Sequence, residues 1–334
     1  MIGPYAGLDA SPSLTLGMTS VPILRRSHLI LGMTASVQAR FFGLGVRLLI
    51  RRRDWGPPEV LARRARRLFG APPPWQWLRS YGVDRTTTGG DDPPGEWLVA
   101  RHHAPITILY LHGGGYVSCS PATHRPITAA LARLTPARLF ALDYRLAPEH
   151  PYPAALDDAE RAYDWLVAVG VAPGSLVLAG DSAGGGLALA LLFRLRDRRA
   201  PMPARVVLFS PWTDLTASGA SIRENDGRCA MFRPENMGDF ALCYAPRAGW
   251  SEAGVSPLFG SPQGLPPLHI QVGADELLLD DAVRLHDRVL VSGGESELVV
   301  YDGVFHGWQM LDGLMPEARR ALSQAASFLH ASLP

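Results

Sequence analysis

One serine of the chain lies between two glycines, where an apolar strand-like run meets a strong helix former. The run covers residues 176–179, the glycines are Gly180 and Gly184, and the helix-forming stretch continues to residue 192. A turn this sharp strains the backbone of Ser182 and brings neighbouring chain so close that a side chain at either glycine would clash. The turn also lifts the Ser182 hydroxyl clear of the strand. This pattern is typical of a nucleophile elbow, although a structural turn before a helix can look the same.

Apolar strand-like segments alternate with helical segments from about residue 79 to the end of the chain. The predicted strands cover residues 83–88, 96–101, 106–111, 139–142, 176–179, 204–210, 268–272 and 298–301, and the predicted helices include 121–134, 154–169, 279–290 and 316–333. The first two strands form a predicted hairpin around a Gly- and Pro-rich turn. Such alternation predicts an α/β fold, with a mostly parallel central sheet that helices cover on both faces.

Two stretches depart from this alternation, and together they predict a helical cap. Residues 1–78 contain a largely apolar segment at 29–50 that arginines interrupt, which fits amphipathic helices better than a membrane span. Residues 214–251 separate the two parts of the predicted core, 79–213 and 252–334. Insertions after a sheet strand commonly form a lid over an active site.

The chain contains no lysine, so all 32 of its basic residues are arginines. Schiff-base chemistry, pyridoxal-phosphate enzymes, the phosphate-binding lysine of P-loop proteins and Ser-Lys dyads each need an amine and are therefore excluded. An activated serine in this chain has to use histidine as its base. The three cysteines, Cys119, Cys229 and Cys243, are spaced neither for a disulfide framework nor for zinc.

Charge and hydropathy bear on partners and location. The net charge of +1 gives no reason to expect nucleic-acid binding. An arginine-rich stretch at 51–67 predicts a solvated helix face, the alternative being contact with an acidic membrane surface.

Residues 25–39 loosely resemble a signal peptide but lie far from Met1, and we expect no stable membrane span. These observations favour a cytoplasmic protein.

Polar groups suited to nucleophilic catalysis follow three of the predicted strands. Ser182 follows one strand, Asp275 the next-to-last and His306 the last. Ligand sites in open parallel sheets form beyond the carboxyl ends of the strands, which predicts that these side chains meet. The chain order of serine, aspartate and histidine is that of α/β-hydrolases. In such a triad, Ser182 attacks, His306 takes its proton and Asp275 orients the imidazole.

A glycine-rich segment, His112-Gly113-Gly114-Gly115, follows the strand at 106–111. Glycines allow the backbone to turn its N–H groups towards a point beside Ser182. We expect Gly113 and Gly114, together with Ala183, to donate hydrogen bonds to an oxyanion. The alternative is a phosphate-binding turn, which the absence of lysine and the lack of G-x-G-x-x-G spacing disfavour.

Neighbouring residues allow other interpretations. We expect Asp280 and Asp281 to cap a helix. Tyr116, Trp212 and Trp308 are candidates for the lining of a substrate pocket, the alternative being that they are core residues. The remaining histidines lack metal-ligand spacing, so no metal site is predicted.

Six segments, taken together and in this order, resemble the hormone-sensitive lipase-like family of α/β-hydrolase esterases. They are residues 112–116, 143–149, 180–185, 210–214, 273–277 and 306–308. The resemblance implies hydrolysis of carboxylic esters through an acyl-serine, and a cap made from N-terminal residues plus an insertion. It also suggests a homodimer. The expected substrate is a small, fairly apolar ester of short-to-medium acyl length, and the reaction needs no cofactor.

Two alternatives remain open. Some proteins similar to this family are non-catalytic small-molecule receptors that have lost a triad residue, but all three positions are filled here. The same triad also suits an amidase, a lactonase or an acyltransferase, and the sequence does not separate these activities from ester hydrolysis.

Overall fold

The central sheet is seen in a computed structural model that describes residues 28–31, 35–71, 82–102 and 105–330. Its strands are β1 (His28–Leu31), β2 (Val83–Thr87), β3 (Gly95–Ala100), β4 (Thr107–Leu111), β5 (Arg138–Leu142), β6 (Leu176–Asp181), β7 (Arg205–Phe209), β8 (Leu268–Gly273) and β9 (Ser296–Tyr301). Among the described residues they form one sheet in the order β1-β9-β8-β7-β6-β4-β5-β3-β2.

The sheet is mostly parallel, as the alternation predicts. Only β3 runs against its neighbours, pairing antiparallel with β2 and with β5, while all other adjacent strands in the described part of the chain are parallel. The predicted hairpin is confirmed, with Val83 opposite Ala100. The central strands β4, β6 and β8 are buried along their whole length, which explains why β4 and β6 are mostly apolar; His269 and Gln271 are buried polar residues of β8.

Helices follow most of the strands. Within the described ranges they are α1 (Val37–Val46), α2 (Pro58–Phe69), α3 (Arg125–Leu134), α4 (Ala154–Ala168), α5 (Ala183–Asp197), α6 (Ser221–Glu224), α7 (Pro234–Tyr244), α8 (Leu279–Val291) and α9 (Pro316–His330). A π-helical segment, Arg47–Arg51, continues α1 directly.

The core lies on both faces of the sheet. Successive side chains of a strand point to opposite faces, so Leu176 and Leu178 of β6 pack in the cluster with α4, α5 and α8. Val177 and Ala179 pack on the other face, in the cluster with α3 and α9. This two-sided burial is the arrangement that the α/β prediction requires.

The N-terminal segment differs in one respect from the predicted helical cap. Residues 28–31 form β1, which adds a parallel strand to the sheet edge, with His28 opposite Leu298. The prediction of a purely helical segment is therefore wrong at β1. Residues 1–27 and 72–81, with part of the predicted signal-like segment, lie outside the described residues.

Arginines connect the N-terminal helices to the rest of the molecule. Arg47 donates to the carbonyls of Gly227 and Arg228, at 2.6 Å each. Arg51 donates to the Phe232 carbonyl and forms an ion pair with Asp226. These contacts join the α1 segment to the insertion at residues 214–251.

Arg66 of α2 makes a second connection, to the loops after β4 and β5. It donates to the carbonyls of Val117 and Ala147 and to both carboxylate oxygens of Glu149. The hydrogen bond from Arg66 lowers the pKa of Glu149 to about 2. Glu149 therefore connects the loop after β5 to α2.

Candidate active site

Ser182 lies on a strained turn between β6 and α5. Its φ of 52° and ψ of −122° are unfavourable for a residue with a side chain. A Cβ at Gly180 would lie 2.5 Å from the Gly184 carbonyl oxygen, and one at Gly184 would lie 2.1 Å from that of Leu111. The predicted steric reason for both glycines is confirmed, and the turn has the geometry of a nucleophile elbow.

His306 is held by Glu276. Nδ1 of His306 lies 2.5 Å from Oε2 of Glu276, and both side chains are buried. The other oxygen, Oε1, accepts hydrogen bonds from the Ser210 hydroxyl and the Gly273 N–H, each at 2.7 Å. A carboxylate only accepts, so Nδ1 carries the proton and Nε2 of His306 is left as a free base.

The prediction of Asp275 as the carboxylate partner is therefore wrong. Its side chain is partly exposed, and its Oδ1 lies 3.5 Å from the guanidinium of Arg228. The turn after β8 directs Glu276, rather than the adjacent aspartate, towards the end of β9. Two consecutive acids follow this strand, and only the conformation of the turn decides between them.

The predicted oxyanion donors also need a correction. The N–H of Gly113 is already engaged, donating to Oδ1 of Asp181 at 2.9 Å. Gly114 and Gly115 line the cavity instead, both with positive φ. No hydrogen bond between described residues uses the N–H of Gly114, Gly115 or Ala183. Three donors are thus available near Ser182, with Gly115 in the place predicted for Gly113.

Asp181 fixes the glycine-rich segment through hydrogen bonds. Besides Gly113, it accepts from the Tyr110 hydroxyl at 2.7 Å and contacts Nε2 of His124 at 3.1 Å. Burial alone raises the pKa of this carboxyl, but the charge of His124 and hydrogen bonds from His124 and Tyr110 outweigh it, leaving the pKa below its ordinary value. Asp181 is therefore ionised at neutral pH and fixes the loop as an anion.

His112, the first residue of the glycine-rich segment, is structural. Its ring stacks on Tyr144 at 4.2 Å between centroids, and Nδ1 lies 2.8 Å from the Gly113 carbonyl. Burial lowers the pKa of His112 to about 3. The ring stays neutral and supports the loop, rather than taking part in proton transfer.

An apolar cavity of about 380 Å³ opens onto Ser182 and His306. Its wall combines three parts of the chain: Phe42, Val46, Ile50, Leu68 and Phe69 from the N-terminal segment; Met231, Phe232, Met237 and Phe240 from the insertion; and Trp212, Leu278, Phe305, Met310 and Leu311 from the core. The sequence did not single out the N-terminal wall residues, because apolar side chains in an amphipathic helix give no indication of which face meets a site.

Of the three predicted pocket aromatics, only Trp212 lies in the cavity wall. Tyr116 stacks on Tyr244 with ring centroids 3.7 Å apart. Trp308 is fully buried beside Tyr301. Both of these aromatics are core residues, which is the alternative that the sequence left open.

A cysteine also lines the cavity, but it does not compete with Ser182. Burial raises the pKa of the Cys119 thiol to about 12, so the thiolate does not form at neutral pH. Among the described residues no cluster of three or more His, Cys, Asp or Glu could hold a metal ion. The serine is the nucleophile that this geometry offers.

Comparison with known proteins agrees with the fold. The family described as having the alpha/beta hydrolase fold matches residues 108–310. An acetyl-hydrolase of Streptomyces hygroscopicus is 41% identical over 234 residues, which are 70% of this chain and 78% of the relative. The carboxylesterase/phospholipase LipF of Mycobacterium tuberculosis is 38% identical over 267 residues, 76% of this chain and 70% of the relative.

Solved structures give the same result. An esterase from the bacterial hormone-sensitive lipase family has a TM-score of 0.81 and 35% identity, covering 90% of this chain and 100% of the esterase. Fold and site thus define an α/β-hydrolase, and the chain belongs to that family. More particularly, it resembles the bacterial hormone-sensitive lipase-type esterases and is a carboxylic ester hydrolase, which confirms the resemblance seen in the sequence.

Proposed function

We propose that this hydrolase cleaves its esters through an acyl-serine formed on Ser182. The observation that carries the proposal is that Ser182, on its strained turn, and His306, held by Glu276, line the same cavity. Ser182 Oγ attacks the ester carbonyl carbon while Nε2 of His306 takes the hydroxyl proton. The imidazolium then gives this proton to the leaving alkoxide, and in the second half of the cycle the ring activates a water that releases the acid.

The N–H groups of Gly114, Gly115 and Ala183 are the proposed donors to the oxyanion of each tetrahedral intermediate. All three belong to segments that Asp181 and the start of α5 hold in place. Donors fixed in this way need no reorganisation as charge develops on the oxygen. Removal of one such donor typically costs about 3 kcal/mol of transition-state stabilisation.

The cavity supports a small, fairly apolar ester of short-to-medium acyl length as the substrate. Its wall is dominated by aromatic and aliphatic side chains, and the polar groups gather at Ser182 and His306. Such a wall stabilises an acyl chain by removing it from water, at about 0.8 kcal/mol per methylene. The N-terminal segment and the insertion at 214–251 together form the proposed cap over the acyl chain of the substrate.

Replacement of the nucleophile tests the proposal. Ser182→Ala should abolish turnover of p-nitrophenyl butyrate while the circular dichroism spectrum stays that of the wild type. A fluorophosphonate probe should label the wild type and not the variant, which also excludes a receptor without catalysis. Retained turnover by the alanine variant would contradict the acyl-serine. Matched p-nitroanilides separate an amidase from an esterase, and added alcohols reveal acyl transfer.

A homodimer and a cytoplasmic location are further proposals, and both rest on the sequence. The family resemblance suggests the dimer, and the weakness of the signal-like segment favours the cytoplasm. Light scattering of the purified protein and fractionation of producing cells test them directly.

A further inference from the structure

The helical rod formed by α1 and the π-helical segment exposes a row of large apolar side chains. Val37, Phe41, Leu44 and Leu48 follow one another at the spacing of a single helix face, and their exposed fractions lie between 45% and 80%. Leu49 borders the row and is also exposed. Contiguous apolar surface of this kind marks an interaction site more often than scattered single residues do. We call Val37, Phe41, Leu44, Leu48 and Leu49 the outer stripe.

The opposite face of the same rod belongs to the active-site cavity. Phe42, Val46 and Ile50 line the wall that also contains Ser182 and His306. A single helix therefore separates the outer stripe from the reacting groups. Whatever covers the outer stripe lies one helix diameter, about 10 Å by ordinary helix dimensions, from the cavity that Ser182 also lines.

The surroundings of the outer stripe are strongly positive. Residues 35–71 contain nine arginines but only two acidic residues, whereas the whole chain is nearly neutral. Arg40, Arg52 and Arg63 are exposed, and no hydrogen bond or ion pair of their side chains occurs between described residues. An apolar helix face with exposed arginines on the same helical segment, here Arg40 and Arg52, is the combination by which interfacial helices bind anionic bilayers.

We propose that the outer stripe docks this enzyme on an anionic lipid surface, with the cavity beside the lipid. The apolar side chains enter the acyl boundary while Arg40 and Arg52 contact lipid phosphates. A second copy of the chain fits this face less well, because a symmetric contact would bring two arginine-rich segments together. None of the helices in the described ranges is long and apolar enough to cross a membrane, so the proposed attachment is peripheral.

Vesicle flotation tests the docking separately from catalysis when it is done with Ser182→Ala protein. Vesicles made of two-thirds phosphatidylcholine and one-third phosphatidylglycerol should carry the protein upward. Vesicles of pure phosphatidylcholine should carry much less of the protein. The triple variant Phe41→Ser, Leu44→Ser, Leu48→Ser should reduce the bound fraction by at least about tenfold, given the apolar area withdrawn from the bilayer. Raising the salt concentration should weaken binding of the parent protein.

The matched control removes exposed apolar side chains elsewhere. Leu290 and Val291 lie at the exposed end of α8, and Leu290→Ser, Val291→Ser should bind vesicles as the parent does. The charge variant Arg40→Glu, Arg52→Glu should lose the preference for the anionic lipid. Thermal unfolding midpoints establish that each variant is folded.

Three outcomes would overturn the proposal. The first is equal binding to neutral and anionic vesicles, and the second is undiminished binding by the serine triple variant. The third is that the protein does not bind vesicles but instead self-associates or captures an acidic protein, and that the triple variant abolishes this association. That result would assign the outer stripe to a protein partner. Because the assay uses an inactive protein, none of these outcomes depends on the acyl-serine.

Discussion

Glu276 uses its two carboxylate oxygens for different purposes. One oxygen holds His306, while the other is fixed by Ser210 and by the Gly273 N–H. A buried carboxylate fixed in this way keeps the imidazole in one tautomer and, in the proposed mechanism, stabilises the imidazolium that forms during attack. Asp275, one residue earlier, is paired at the surface with Arg228. The two acids therefore differ in function because of a single turn.

Substitutions of these two neighbouring acids should have very different effects on kcat. Glu276→Gln should lower kcat for p-nitrophenyl butyrate on the order of 10³-fold or more, because the amide no longer fixes the proton on Nδ1. Asp275→Asn should change kcat by less than about fivefold, since an exposed ion pair contributes little. Steady-state kinetics with both variants decide the matter. If Asp275→Asn shows the larger loss, the assignment of Glu276 as the orienting carboxylate is wrong.

Asp181 provides a residue-scale prediction that depends on pH. Its folded-state pKa is lowered, so its ionisation stabilises the fold above the unfolded-state pKa of about 4, and this contribution disappears as pH falls through the folded-state pKa. Asp181→Asn should destabilise the protein by about 1–3 kcal/mol at pH 7, because its buried partners lose a charged acceptor. The difference between wild type and variant should shrink below about pH 4.

Urea denaturation at pH 7, 5, 4 and 3 measures this difference. Asp181→Asn should also reduce kcat, since the carboxylate fixes Gly113 and thereby the neighbouring Gly114 and Gly115, which are the proposed oxyanion donors. Asp226→Asn is a suitable control, because the Asp226 carboxylate is about half exposed and pairs with Arg51 away from the elbow. A stability difference that stays constant from pH 7 to pH 3 would show that ionised Asp181 is not the origin of the effect.

At the residue scale, the sequence predicts a position well when the constraint is local. Ser182 and its glycines are identified from five consecutive residues, because the sharp turn imposes its own sterics. The choice between Asp275 and Glu276, or between Gly113 and Gly115, depends on contacts with Asp181, Ser210 and His306 from distant parts of the chain. Adjacent residues of the same type carry no pattern that distinguishes them.

At the scale of elements, strands that are buried on both faces are the easiest to predict. The observed bounds of the central strands β4, β6 and β8 lie within two residues of the predicted ones, although β8 includes the polar residues His269 and Gln271. β1 is different, because its four residues lie in a segment that reads as helical. Its pairing with β9 comes from the sheet edge available to it, and not from any local alternation.

Helix α8 shows how tertiary contacts override a local expectation. Asp280 and Asp281 lie in its first turn, where acids commonly cap. Asp281 instead accepts hydrogen bonds from the N–H groups of Thr213 and Asp214, and Asp280 accepts from that of Ser221. These acids hold the chain where it leaves β7 towards the insertion. The expectation that they cap α8 is therefore wrong.

At the scale of the whole molecule, the proposed catalytic residues and much of the cavity wall come from different parts of the chain. The strand ends of the core supply Ser182, His306 and Glu276, the residues of the proposed acyl-serine mechanism. The N-terminal segment and the insertion supply much of the apolar wall, and the arginine contacts of Arg47 and Arg51 fix these two parts to each other. Acyl-length preference should therefore be set by the wall residues and be separable from the rate of bond cleavage.

Val46 is the position at which this separation can be tested. It lines the cavity from α1, and Val46→Trp would fill part of the space that a longer acyl chain needs. The ratio of kcat/KM for p-nitrophenyl octanoate to that for p-nitrophenyl acetate should fall by about tenfold, equivalent to the loss of one or two buried methylenes. Turnover of the acetate should stay close to that of the wild type, since its acyl group needs little of the cavity.

The control for this prediction is Gln38→Trp, which adds the same side chain to an exposed position of the same helix. Its octanoate-to-acetate ratio should equal that of the wild type, with the ester kept below its micelle-forming concentration. A proportional fall for both esters in Val46→Trp would mean that the substitution disturbs the triad rather than the acyl site. An unchanged ratio would mean that the acyl chain of the substrate lies along a different wall of the cavity. A tryptophan that faces the acyl chain would weaken binding of the long ester more than binding of the short one.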